Sequence, residues 1–148
     1  MRFNGEWIQC DDGIVRPVIR AEILTGEGHW RAFELLVDTG ADRTVISANV
    51  LESLNVQPTA PQDRIGGIGG LVDSVSVNTQ IRLSRDDGQK AVCRGKYSAC
   101  TDHEALDMSV LGRDILEMFA LIVDRRADVA AIIGGQHSYM IAFQTAEP

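Results

Sequence analysis

Asp38 closes an apolar, β-prone run, Phe33-Glu34-Leu35-Leu36-Val37, and is followed by Thr39, Gly40 and Ala41, three residues of little bulk. β-Branched residues resume at Thr44, Val45 and Ile46. A strand built this way delivers one carboxylate into a tight turn and leaves the backbone beside it open. Such a carboxylate can serve a water molecule as general base or general acid. The same Asp in isolation is an ordinary turn residue that bonds its own backbone. Two further segments bear on the choice. Ile65-Gly66-Gly67-Ile68-Gly69-Gly70 has the glycines that a tight hairpin tip requires, and it leaves room for a ligand's backbone. A phosphate-cradling loop would run into a helix, whereas residues 71–75 read as strand. The third segment is Leu111-Gly112-Arg113-Asp114.

The elements that must position these residues are legible in the alternation of apolar and polar side chains. Trp7 and Ile8 fit a short edge strand ahead of the turn signal Cys10-Asp11-Asp12-Gly13. Residues 14–25 alternate as a strand, with Pro17 marking an edge position. Gly26-Glu27-Gly28 turns the chain, and residues 30–38 return to deliver the acid. Residues 47–55 show helical spacing at Val50, Leu51 and Leu54, with Ser47 as candidate cap. Residues 57–62, with Pro58 and Pro61, read as a loop. Residues 72–84 and 90–101 are two strands joined through Asp87-Gly88. One or two helical turns are expected at 115–119, then strands at Ala120–Asp124, Val129–Ile133 and residues 138–143. Many short strands with little helix make an all-β barrel or sandwich with one short C-terminal helix, expected as a single domain over residues 1–148.

Composition bounds the function. The 148 residues are 45% hydrophobic but only 5% aromatic, so the core must be mostly Val, Ile, Leu and Ala. A net charge of −7 with no cluster of Lys and Arg argues against a nucleic-acid partner. No apolar run approaches the ~20 residues of a membrane span, so no membrane partner is expected. Cys10, Cys93 and Cys100 form no close-spaced metal motif, and an odd cysteine count without a signal peptide fits a cytoplasmic location. His29, His103 and His137 do not cluster, so neither a metal site nor a Ser-His-Asp site is expected. No cofactor is implied.

Taken together, strand–Asp-Thr-Gly-Ala, the glycine-rich tip and Leu-Gly-Arg-Asp, in that order, resemble the retropepsins, the retroviral-type aspartic proteases. The likeness runs over roughly residues 14–118. It implies a closed retropepsin-like barrel in which Asp38, Thr39 and Gly40 are catalytic, with Thr39 bonding across a two-fold axis. It implies that Gly40, Asp42 and the flap residues Gly66, Gly67, Ile68 and Gly69 contact a peptide or protein substrate. Ala41, Gly112, Arg113 and Asp114 would be structural support: Ala41 keeps the floor low, Gly112 lets the last helix pack close, and Arg113 pairs with Asp42. Arg43, Val45 and Val72 are pocket candidates by their closeness to the motifs.

Peptide hydrolysis by carboxylates needs two of them sharing one proton, one as base and one as acid. The chain holds one Asp-Thr-Gly, whereas bilobal relatives of pepsin carry two in about twice the length. The resemblance therefore implies a homodimer, with one Asp38 from each subunit at the axis. Viral members end soon after the Gly-Arg helix. This chain runs on, as cellular and bacterial-type members do, and residues 120–143 with the N-terminal residues are expected to build or enlarge the dimer interface. The rival reading is a dimerisation or peptide-binding module of the same fold without turnover. The acid and the flap count against it, because a binder needs no acid pair; the long tail counts for it.

Overall fold

The computed structural model describes residues 1–67 and 69–135. Two short strands, β1 (Arg2–Asn4) and β2 (Glu6–Gln9), lead into the hairpin of β3 (Val15–Leu24) and β4 (Trp30–Val37), paired from Val18↔Leu36 to Leu24↔Trp30. Pro17 faces only Trp7 of β2, on a stretch of β3 with no β4 partner, which suits a residue without an N–H. Next come β5 (Val45–Ile46), α1 (Ala48–Leu54), β6 (Pro58–Gly67), β7 (Gly70–Ser84), β8 (Lys90–Cys100) and β9 (Val110–Leu111). The described chain finishes with α2 (Arg113–Leu116), β10 (Ala120–Asp124) and β11 (Val129–Ile133).

One eight-stranded sheet runs in the order β2-β3-β4-β9-β5-β8-β7-β6, and a further β3–β7 pairing, from Ala21↔Leu83 to Ile23↔Ile81, curls it back on itself. Alternation drives this closure. Val75, Val77, Ile81 and Leu83 point inward from β7 and meet Ile19, Ala21 and Ile23 of β3. Each such Val, Ile or Leu side chain, fully buried, contributes about 1.5–3 kcal/mol. A second, three-stranded sheet has the order β1-β11-β10. It is fastened to the same core by Phe3 and Ile132, both buried, and by an edge-to-face pair of Phe3 and Phe119 with centroids 5.5 Å apart. The Trp7 indole donates to the Val129 carbonyl at 3.0 Å and ties the two sheets together.

The structure departs from the sequence reading in three places. Residues 57–62 do not form a loop: Pro58–Gly67 is a strand, on the outer edge of the sheet. An edge strand tolerates proline, and the pairing with β7 slips between Pro58 and Ala60 and again between Ala60 and Asp63. Ser47 stands at the N-cap of α1, but its side chain does not cap; it is engaged with Ser109 instead. The last helix begins at Arg113 rather than at 115, because Gly112, in extended conformation, starts it. The strands Ala120–Asp124 and Val129–Ile133 lie at the expected spans. The expected strand at 138–143, His137 and the flap-tip Ile68 lie outside the described residues.

Candidate active site

Asp38 sits one residue past β4 and is half-buried. Its backbone is fixed from the side by β9, which runs parallel to β4 in the register Leu36↔Val110 and Val37↔Leu111. The Asp38 N–H donates to the Leu111 carbonyl at 3.2 Å, and the Ala41 N–H donates back to the Asp38 carbonyl at 3.3 Å. The Gly40 N–H donates to Asp38 Oδ1 at 2.9 Å, which orients the carboxyl. Oδ2 has no hydrogen-bond partner among the described residues. A Cβ on Gly40 would stand 3.2 Å from Asp38 Oδ1, close enough to push on the carboxyl. Thr39 and Gly40 are exposed, and the Thr39 hydroxyl makes no hydrogen bond with any described residue.

The segment behind the turn is built from α2. A Cβ on Gly112 would fall 2.3 Å from the Arg43 carbonyl carbon and 2.4 Å from its oxygen, so only glycine permits this approach. The Arg113 N–H donates to the Ala41 carbonyl at 2.9 Å, and its guanidinium bonds Asp42 and lies 3.4 Å from Glu117. Asp114 accepts from the Thr44 N–H at 2.8 Å and from the Thr44 hydroxyl at 2.7 Å, while that hydroxyl accepts the Gly112 N–H at 3.1 Å. Asp42, Arg113 and Asp114 are thus all joined to the acid's own turn, by way of Ala41 and Thr44.

Sequence reasoning missed the buried role of Thr44, Ser47 and Ser109, which are 0%, 2% and 1% exposed. The Ser47 N–H donates to Ser109 Oγ at 2.9 Å, and that hydroxyl donates to Ser47 Oγ at 3.2 Å. The Thr44 and Ser109 hydroxyls accept the Gly112 and Ser47 N–H groups at the ends of the short strands β9 and β5. The signal was present as three hydroxyl residues flanking apolar pairs, but nothing in the sequence said that they would be buried.

The flap is the hairpin of β6 and β7, paired as far as Gly66↔Leu71 and Gly67↔Gly70. Gly70 takes φ +109°, a conformation that favours glycine. Gly66, Gly67 and Gly69 are exposed, and Leu71 beside them is 66% exposed. The root of the flap meets the floor: Ile65 and Val72 pack with Leu36, Ala41, Val45 and Val110 in a small apolar cluster distinct from the main core. Val45 and Val72, two pocket candidates, therefore come together, whereas Arg43 is exposed. A cleft of about 920 Å³ adjoins this cluster, lined by Arg16, Leu36, His103, Leu106, Met108 and Val110 among others.

Other titratable groups lie away from the turn. Cys93 and Cys100 are free, and burial raises both thiols above their ordinary range. His103 bridges Asn49 at 2.6 Å and Glu52 at 2.7 Å on α1. Among the described residues no group of His, Cys, Asp and Glu could hold a metal ion, and no helix is long and apolar enough to cross a membrane.

Residues 15–124 match the family model described as retroviral aspartyl protease. The fold is similar to the EIAV protease solved with the inhibitor HBY-793, at TM-score 0.53 and 26% identity over 69% of this chain and 86% of that one. It is also similar to a retropepsin-like aspartic protease from Rickettsia conorii, at TM-score 0.51 and 17% identity over 89% of this chain and 88% of that one. No curated protein sequence matches the chain.

Proposed function

The chain belongs to the retroviral aspartyl protease family, and from that premise we propose that it is an endopeptidase whose catalytic pair is Asp38 from each of two identical subunits. The observation that carries this reading is the half-buried Asp38, with one oxygen held by the Gly40 N–H and the other without a partner among the described residues, in a chain with one Asp-Thr-Gly. Two carboxylates brought together cannot both ionise, so they share a proton and titrate as a unit. The ionised member takes a proton from a water that attacks the peptide carbonyl carbon. The protonated member gives its proton to the carbonyl oxygen. Collapse of the resulting diol breaks the C–N bond as the amine nitrogen receives a proton.

The remaining roles follow from position. Thr39, whose hydroxyl has no partner among the described residues, is the residue to reach across the axis. Gly40 and Asp42 border the open side of the turn, where a substrate backbone would lie. Gly66, Gly67 and Gly69 of the flap would offer backbone groups to the substrate, and flap closure would exclude water. Ala41, Gly112, Arg113 and Asp114 hold the turn from behind. The dimer surface includes β10, where Ile122 and Val123 are 43% and 44% exposed, together with Met118 ahead of it at 56%.

Asp38→Asn should abolish cleavage of a mixed peptide library while the melting profile stays that of a folded protein; residual turnover by this variant would remove Asp38 from its role. Ile122→Lys with Val123→Lys should lower the dimer fraction in sedimentation, and activity with it; an unchanged dimer would move the interface elsewhere.

A further inference from the structure

We propose a second binding site, remote from the acid, that takes an acidic stretch of an extended polypeptide through Arg94 and Lys96. It rests on the peptidase reading only in identifying that polypeptide as a substrate.

One face of the β7–β8 ribbon carries Asn78, Gln80, Arg82 and Ser84 opposite Lys96, Arg94, Val92 and Lys90, since directly paired residues share a face. Its four cations fall into two kinds. Arg82 and Lys90 converge on Glu22, at 2.7 and 2.8 Å from the guanidinium and 3.1 Å from the ammonium, and Arg82 also lies over the Trp30 ring at 4.2 Å. The Arg94 and Lys96 side chains are exposed and make no hydrogen bond or ion pair with any described residue. The sequence had a surplus of carboxylates to place beside them, with a net charge of −7.

These two side chains line a groove of about 760 Å³ that also takes in Val56, Gln57, Asn78 and Gln80. Of the four amide side chains there, Gln57, Asn78 and Gln80 have no partner among the described residues, while Asn55 donates to Glu27. A groove with two uncommitted cations and neutral amide donors suits carboxylate oxygens, because the amides complete the anion's shell without adding a competing charge. Arg94 and Lys96 are two residues apart on a strand, about 7 Å, which is also the spacing of same-side residues on an extended peptide. The matching ligand is therefore a segment with Asp or Glu at alternate positions. Its location suits a substrate exosite. Lys96 precedes Ser98, which pairs with Val45 just beyond the acid's turn, so the groove begins about 7 Å along β8 from that contact. A tail held there would raise the local concentration of the bond to be cut.

The test uses a fluorescent peptide with Glu at alternate positions, titrated by anisotropy into the Asp38→Asn protein, where turnover plays no part. Saturable binding is expected, weakened by salt, and lost by about tenfold or more in Arg94→Glu/Lys96→Glu; Arg94→Gln/Lys96→Gln should show the same trend. In the protein with Asp38 intact, adding the acidic tail to a cleavable peptide should lower KM, and the double variant should erase that gain with kcat unchanged. Equal binding by the Asp38→Asn protein with and without the double substitution overturns the proposal, as does saturable binding of inorganic phosphate without binding of the acidic peptide. Failure to cleave any peptide would sink the peptidase reading, while the anisotropy result would still decide the groove.

Discussion

Asp114 accepts both the N–H and the hydroxyl of Thr44, at 2.8 and 2.7 Å, and so binds α2 to the turn that carries the acid. Thr44 is wholly buried. Asp114→Ala would leave two Thr44 donors without their acceptor inside the fold, at an expected cost of about 2–3 kcal/mol in urea unfolding. Asp114→Asn keeps a carbonyl oxygen for Thr44 and should cost distinctly less. Equal losses for both variants would show that the charge of Asp114, not its acceptor geometry, matters.

Gly112→Ala tests the close approach of α2 to Arg43. The added methyl has to displace backbone, not the end of a flexible side chain. Overpacking of this kind costs about 1–3 kcal/mol or more, and the displaced atoms are those beside Asp42. Both thermal stability and peptide cleavage should fall; a variant as stable and active as wild type would mean that α2 can slide outward freely.

Arg113 and Asp42 make the opposite case. Their side chains are 46% and 81% exposed, so the pair contributes about 0–1 kcal/mol to folding. Its effect should appear in catalysis, through the position of Asp42 beside the substrate. Arg113→Ala and Asp42→Asn are expected to melt close to wild type yet lose at least about tenfold in kcat/KM, roughly the rate equivalent of 1.4 kcal/mol. A loss of activity matched by an equal loss of stability would make the pair structural.

These contrasts mark what the sequence could and could not convey. The β7–β8 hairpin was legible because Val75, Val77, Ile81 and Leu83 alternate and Asp87-Gly88 names the turn. Pro58 and Pro61 concealed β6, since proline argues against a strand unless the strand is known to be an edge, and edges are a property of the assembled sheet. The parallel contact of β4 with β9 joins Leu36 to Val110, residues far apart in the chain, and no local pattern announces it. For the same reason Asp38, Gly112 and Arg113 could be picked out as motif residues, whereas the burial of Thr44 and Ser109 could not. Types and spacing marked the groups that can do chemistry; the hydroxyls that hold them in place became visible only once the sheet closed.

Glu22 gives the fold a titratable contribution away from the acid. Hydrogen bonds from Arg82, with burial opposing and Lys90 assisting, lower its pKa from 4.5 to about 2. A carboxyl lowered in the folded state adds stability above its unfolded value of 4.5, and that stability is lost as pH falls through about 2. Glu22→Gln should therefore be less stable than wild type near neutral pH, by about 1–2 kcal/mol after solvent screening, and the gap should close toward pH 2. Melting curves of both proteins across this range check the sign; a gap that widens on acidification would reverse it.

Whether two Asp38 carboxylates make one site can be read from mixtures. Wild-type protein is combined with Asp38→Asn protein at constant total concentration, subunits are allowed to exchange, and cleavage of one peptide is followed. If each site needs an intact Asp38 from both subunits, activity follows the square of the wild-type fraction, and an equal mixture retains about a quarter of the starting rate. A linear decline, with about half the rate left in the equal mixture, would contradict the shared site and make each subunit's Asp38 sufficient by itself.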